Sequence, residues 1–310
     1  MKIVFLDRST LGEDISIEKF NTLGEVISYD VTSPQETLNR IKNADVIVTN
    51  KVVISKEMMQ QSQLKLICVA ATGMNNIDLE YAKEAHIEVK NVAGYSTNSV
   101  AQLTFSLVLK FMQHLDFYDN YVKAGNWQKS PIFTNIDKPF HELEGKHWGI
   151  IGLGTIGQKV ASIAQAFDCK VSYYSTSGFN TNTMYEQKSL EELLSSCDII
   201  SVHAPLNEKT LNLLNKNNLN LLKEKSIVIN VGRGGIINEA DLAEFIDNKE
   251  VYFGMDVASK EPLEESSPLV SIQHKERFIL TPHIAWASIE ARERLVEGIY
   301  ANIVNFFKIS

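Results

Sequence analysis

The sequence predicts an α/β protein of two domains, each a parallel sheet flanked by helices. Short β-branched runs alternate with helix-length amphipathic stretches from end to end, the pattern of parallel strands joined by crossover helices. Ten strand-like runs are present, and two sheets hold them better than one. The 310 residues also exceed what one small core requires and suit two domains of ordinary size.

The first set of strands is Ile3 to Leu6, Val46 to Thr49, Leu66 to Val69 and Ile87 to Val89. A long helix is expected next, from Ser99 to about Tyr121, because Val100, Leu103, Leu107, Val108, Phe111 and Leu115 recur at helical spacing. Asn98 or Ser99 would cap its start. The second set is Trp148 to Ile151, Val171 to Tyr174, Ile199 to His203, Ile227 to Asn230, Tyr252 to Met255 and Phe278 to Leu280. A last amphipathic stretch runs from Ser288 to Phe307. A helix near each end of the second set is expected if residues 99–286 form a domain inserted into another made of 1–98 and 287–310. The chain would then cross the interface twice, and a cleft would hinge at those crossings.

Gly152-Leu153-Gly154-Thr155-Ile156-Gly157 sits where the strand His147 to Ile151 runs into a helix starting near Gly157. In that setting the first glycine permits a tight turn, and the second lets a pyrophosphate approach the backbone. The third lets helix and strand pack closely. The free N–H groups and positive dipole end of the helix would face the phosphates. A Rossmann-type dinucleotide domain is the resulting expectation. Four further segments lie at or beyond strand ends, where ligands bind in open α/β sheets: Asn230 to Gly235, Gly254 to Val257, Lys260 to Leu263, and Thr281 to Trp286.

With Ala70 to Asp78 and Val92 to Ala101, these motifs resemble the D-2-hydroxyacid dehydrogenase family over nearly the whole chain. The run His283-Ile284-Ala285-Trp286-Ala287-Ser288 is most similar to glycerate dehydrogenases, also called hydroxypyruvate reductases. The resemblance implies a dinucleotide domain inserted into a flavodoxin-like substrate domain, and reduction of hydroxypyruvate or glyoxylate to the D-hydroxy acid. It implies that Arg233 presents its planar fork of donors to the 2-oxo acid, and that His283 exchanges a proton with the substrate oxygen. Glu261 would pair with His283, orienting the ring and favouring its charged form. Ala71-Thr72-Gly73 would cradle the substrate carboxylate with backbone N–H groups. Trp286 would wall the pocket, unless it is a core residue at the domain boundary.

Cofactor contacts implied in the same way are Thr104, Gly152, Gly154, Thr155, Ile156, Gly157, Ser175, Thr176, His203, Ala204, Pro205, Thr210, Val231, Gly232, Asp256 and Ala285, with Asp256 at the nicotinamide end. The acidic residue usual about twenty positions past the glycines is replaced by Ser175, followed by Thr176 and Ser177. NAD and NADP both stay open at this point. The lack of a neighbouring Arg or Lys favours NAD.

Phosphoglycerate dehydrogenase and D-lactate dehydrogenase are the rival enzymes. Lys51 and Lys83 are the basic candidates for a substrate phosphate, and the end of the chain at Ser310 is read as leaving no room for a regulatory domain. A dinucleotide-sensing, corepressor-like binding module is the rival of another class.

The remaining features exclude more than they identify. A net charge of −8 argues against nucleic acid, and an apolar content of 44% with 22% charged residues describes a soluble globular chain. Cys68, Cys169 and Cys197 form no CxxC pair and read as buried thiols, with no metal site expected. Met1 to Asp7 is too short for a signal core, and no run is long enough to span a bilayer, so the cytoplasm is expected. A homodimer is expected through the Ser99 helix and the Phe117 to Phe140 stretch, which carries Tyr118, Tyr121, Trp127 and Phe133.

Overall fold

A computed structural model describes residues 1–309. The chain divides into two compact units, one of Met1–Ser96 with the segment from Trp286 onward, the other of Thr97–Ala285. It passes between them one or two residues ahead of the expected 98/99 and 286/287.

In the first unit, β1 (Lys2–Phe5), β2 (Glu25–Ser28), β3 (Val46–Thr49), β4 (Leu66–Val69) and β5 (Glu88–Lys90) form a parallel sheet of order β2-β1-β3-β4-β5. That is the flavodoxin-like order. The central strands β3 and β4 are buried along their whole length, which is why they read as unbroken apolar runs. Three short helices, α1 (Pro34–Ile41), α2 (Lys56–Gln60) and α3 (Leu79–Glu84), connect strands. Helix α1 starts sharply because Ser33 and Glu36 form a capping box around Pro34. The C-terminal helix, Ile289–Phe307, buries Ala291, Leu295, Ile299 and Ile303 in a cluster with Ile3, Phe5, Val48 and Cys68.

The second unit opens with α4 (Thr97–Gln113) and α5 (Leu115–Lys123). Its seven parallel strands are β6 (His147–Ile151), β7 (Lys170–Tyr174), β8 (Glu186–Gln187), β9 (Ile199–Val202), β10 (Ile227–Asn230), β11 (Tyr252–Met255) and β12 (Phe278–Leu280). Their order, β12-β11-β10-β9-β6-β7-β8, is the Rossmann arrangement with one added edge strand. Helices α6 (Thr155–Ala166), α7 (Leu190–Ser196) and α8 (Glu239–Asn248) complete the unit. Strand order reverses between β6 and β9, so the turns that follow these two strands flank the crevice where such sheets bind ligands.

Several expectations need correction. The single helix from Ser99 to Tyr121 is two, broken at His114, whose φ of 50° is left-handed. The first of them starts at Thr97, so Asn98 and Ser99 lie inside it and do not cap it; the Ser99 hydroxyl instead donates to the Ala285 carbonyl at 2.6 Å. Helix α6 begins at Thr155, two residues before Gly157. Strands β2 and β8 were not expected, since both are short edges with exposed positions and no continuous apolar run. All three cysteines are free and buried, and burial pushes the Cys68 thiol up to about 12. Among the described residues no helix is long and apolar enough to cross a membrane.

Candidate active site

The glycine turn follows β6 and opens α6. A Cβ on Gly157 would stand 2.3 Å from the Gly152 carbonyl oxygen, so helix and turn touch where only glycine fits. Around Gly154, the N-cap of α6, nothing lies within 4 Å of such a Cβ. The third glycine thus closes the packing, and the second borders open space in front of the N–H groups that begin the helix. This is the donor set and clearance that a dinucleotide diphosphate requires, and Gly154, Thr155 and Ile156 are the residues that would hold it.

Beyond β7, the buried Ser175 hydroxyl accepts from the backbone N–H groups of Gly178 at 3.1 Å and Asn180 at 3.4 Å. The Asn180 amide donates to the Leu153 carbonyl at 3.0 Å, tying this loop to the glycine turn. No Lys or Arg occurs from Thr176 to Gln187. After β9, Thr210 donates to the Pro205 carbonyl at 2.6 Å and accepts from Asn207 N–H at 2.8 Å, bracing the loop that carries Ala204 and Pro205. The Trp148 indole donates to Ser201 Oγ at 2.9 Å, and the same oxygen lies 3.0 Å from His203 Nε2. The His203 Nδ1 is buried and without a partner among the described residues. Burial pushes this imidazole down to about 3. Thr104 is buried in α4 and donates to the Val100 carbonyl at 2.9 Å.

The expected acid/base residues all lie in the second unit. Arg233 follows β10 on a turn held by Asn230, whose Oδ1 accepts from Gly232 N–H at 3.0 Å and whose Nδ2 donates to the Arg233 carbonyl at 2.9 Å. The guanidinium Nη1 donates to the Gly232 carbonyl at 2.8 Å. Arg233 has no carboxylate within ion-pair distance among the described residues, which counts against a purely structural role for it. A Cβ on Gly234 would come within 2.0 Å of the Ala258 carbonyl oxygen, so the turn lies directly on the segment leading to Glu261.

Glu261 accepts from Ala258 N–H at 3.1 Å through Oε1 and meets His283 Nδ1 at 2.6 Å through Oε2. His283 itself adopts a left-handed φ of 54°, an unusual conformation for a residue with a Cβ. The buried Asp256, just past β11, holds it there. Its carboxylate accepts from Thr281 Oγ1 at 2.6 Å, Ile284 N–H at 2.9 Å and Ala285 N–H at 2.7 Å, bracketing His283 on both sides. Burial raises the Asp256 pKa, and these three donors only partly offset it. Asp256 N–H in turn donates to the Asn230 carbonyl at 3.0 Å, linking the two brackets.

In the first unit, Ala71-Thr72-Gly73 follows β4. Asn91 Nδ2 donates to the Thr72 carbonyl at 2.6 Å, and Val92 N–H donates to the Ala71 carbonyl at 3.2 Å. Trp286 is half-buried against the cluster of the first unit, edge-on to Tyr95 with ring centroids 6.4 Å apart. Sequence reasoning included Asn230 only as the start of the segment Asn230 to Gly235, without a role, and missed Ser201 and Asn180. The available signal for Asn230 and Ser201 was a polar side chain in a strand otherwise apolar.

Known proteins resemble this chain over nearly its whole length. Residues 105–285 match the family model described as D-isomer specific 2-hydroxyacid dehydrogenase, NAD binding domain. A hydroxypyruvate reductase of Blautia hydrogenotrophica is 37% identical, covering 99% of this chain and 97% of its own. An acyclic imino acid reductase solved with NADPH and D-Arg superposes with a TM-score of 0.86 at 29% identity, over 99% of this chain and 97% of its own. A D-lactate dehydrogenase from Aquifex aeolicus, solved with NAD and lactic acid, superposes with a TM-score of 0.84 at 25% identity, over 99% and 95%.

Proposed function

The chain belongs to the D-isomer specific 2-hydroxyacid dehydrogenase family, and we propose that it reduces hydroxypyruvate, or the similarly small glyoxylate, to the D-hydroxy acid. The observation that carries this reading is the set of Arg233, Glu261 and His283 on neighbouring turns, with Glu261 and His283 in direct contact at 2.6 Å. Arg233 grips the carboxylate or ketone oxygen of the acid through its fork of donors. Bound at the glycine turn, the nicotinamide dinucleotide supplies the hydride. His283, engaged by Glu261 at Nδ1, gives a proton from Nε2 to the ketone oxygen and takes one back in the oxidative direction. Glu261 keeps the ring oriented and offsets the charge of the imidazolium.

NAD is the preferred cofactor on this reading, because Ser175 to Gln187 offers no positive charge for a 2′-phosphate. A homodimer is supported by α5, which buries none of its residues, and by the exposed Trp127, Ile132, Phe133, Ile136 and Phe140 that follow it. Exposed large apolar side chains close together in sequence are candidates for a subunit interface, and light scattering tests the point. The enzymatic reading is tested by following loss of NADH or NADPH absorbance with hydroxypyruvate, glyoxylate, pyruvate and phosphohydroxypyruvate. Highest kcat/KM for hydroxypyruvate or glyoxylate with NADH is the expected result, and no turnover of any acid with either cofactor would reject it.

A further inference from the structure

We propose that Asn230 is a positioning residue for Arg233, acting on the oxo acid through the turn that carries the guanidinium; this rests on the reading of Arg233 as the substrate-gripping group. Asn230 is completely buried at the end of β10. Both polar atoms of its side chain are used within the three residues that follow: Oδ1 accepts from Gly232 N–H, and Nδ2 donates to the Arg233 carbonyl. The orientation of the amide is forced, since a backbone N–H can only donate and a carbonyl can only accept. No other side chain of this length offers one neutral donor and one neutral acceptor in a plane. An aspartate would set an acceptor oxygen against the Arg233 carbonyl, and a serine has neither the reach nor the second atom.

The position of Arg233 follows from this clamp. The carbonyl gripped by Nδ2 belongs to Arg233 itself, and the guanidinium folds back onto the Gly232 carbonyl of the same turn at 2.8 Å. The turn is further pinned by Gly234 against Ala258 and by the Asn230 carbonyl accepting from Asp256 N–H. Asn230 therefore ties the fork of Arg233 to the strand end from which Asp256 holds the His283 loop. Without the amide, the half-buried Gly232 N–H and Arg233 carbonyl lose their partners beside the buried Val231, and the turn loses both bonds that fix its shape. A shift of about 1 Å at a substrate-positioning group costs on the order of 100-fold in rate.

The test uses full-length Asn230→Ala, which removes both bonds, and Asn230→Asp, which keeps the volume and the acceptor but not the donor. For each, NADH affinity and binding stoichiometry are measured by fluorescence titration, and kcat and KM are measured with the 2-oxo acid that the wild type turns over best. The expected result is a fall in kcat/KM of about 30-fold or more with KM for the acid raised. The Kd for NADH should stay within about threefold of wild type at full stoichiometry. A merely structural role would lower the binding-competent fraction and leave KM unchanged; that result overturns the proposal. So does unaltered kcat/KM in a variant that binds NADH fully, or failure of both variants to bind NADH.

The Arg233 Nη1–H resonance in nitrogen-edited NMR gives a readout independent of turnover, expected to be shifted in the wild type by its bond to the Gly232 carbonyl and to collapse toward its random-coil position in Asn230→Ala. A wild type that turns over no acid, with the collapse still seen in Asn230→Ala, would reject the dehydrogenase reading and keep the clamp. Turnover with an unmoved resonance would do the reverse.

Discussion

Glu261 Oε2 lies 2.6 Å from His283 Nδ1, so the carboxylate occupies one ring nitrogen and leaves the opposite one for chemistry. His283→Ala should lower kcat by about 100- to 10,000-fold with the affinity for NADH preserved, as read by fluorescence titration. A protein that only sensed dinucleotide would be indifferent to the change. Glu261→Gln keeps the shape but removes the charge, and should cost about 10- to 100-fold in kcat by loosening the ring's orientation.

Arg233→Lys tests whether a fork or merely a charge is needed. A flexible ammonium cannot make two parallel bonds to a carboxylate. We expect kcat/KM for the 2-oxo acid to fall by about 100-fold, equivalent to about 2.7 kcal/mol. The melting temperature should hardly move, because Arg233 forms no ion pair among the described residues. A variant with wild-type kcat/KM would remove Arg233 from the site.

The glycine turn separates folding from ligand binding. Gly157→Ala puts a Cβ 2.3 Å from a backbone oxygen and should lower both the melting temperature and the affinity for NADH. Gly154→Ala places its methyl in open space, and should leave the melting temperature near that of the wild type while weakening NADH binding by about tenfold or more through steric exclusion of the diphosphate. Equal thermal damage from both substitutions would contradict this division.

His203 carries a pH signature. Its folded value is depressed to about 3 from an ordinary 6.5, so between these values the unfolded chain binds a proton that the folded chain refuses. Its contribution is fully present above about pH 6.5 and is lost as pH falls, at up to about 1.4 kcal/mol per pH unit. Urea midpoints at several values between pH 7 and pH 4.5 should therefore decline more steeply in the wild type than in His203→Gln. Parallel declines would show that the ring titrates normally.

How much the residues alone disclose depends on where each signal comes from. Strands β3, β4 and β10 are legible to the residue because continuous burial demands largely apolar character. Strands β2 and β8 escape because an edge with exposed positions imposes no such demand. The break at His114 escapes too, since the apolar spacing runs across it from Phe111 to Leu115 while one left-handed residue redirects the chain. At the site, Arg233 and His283 stand out beyond strand ends, whereas Glu261 is reached only through the resemblance to the family's motifs, since Glu-Pro alone reads as a solvated turn. The bracketing done by Asn230 and Asp256 does not stand out, because it consists of bonds to backbone groups, which every residue owns and no pattern of side chains records.

Arg233, Glu261 and His283, together with the brackets that aim two of them, all belong to one uninterrupted run of polypeptide, Thr97–Ala285, whereas Ala71-Thr72-Gly73 belongs to the other unit. The hydrogen bonds that hold these three side chains are thus all made inside that run, so their spacing is set by one segment of the polypeptide.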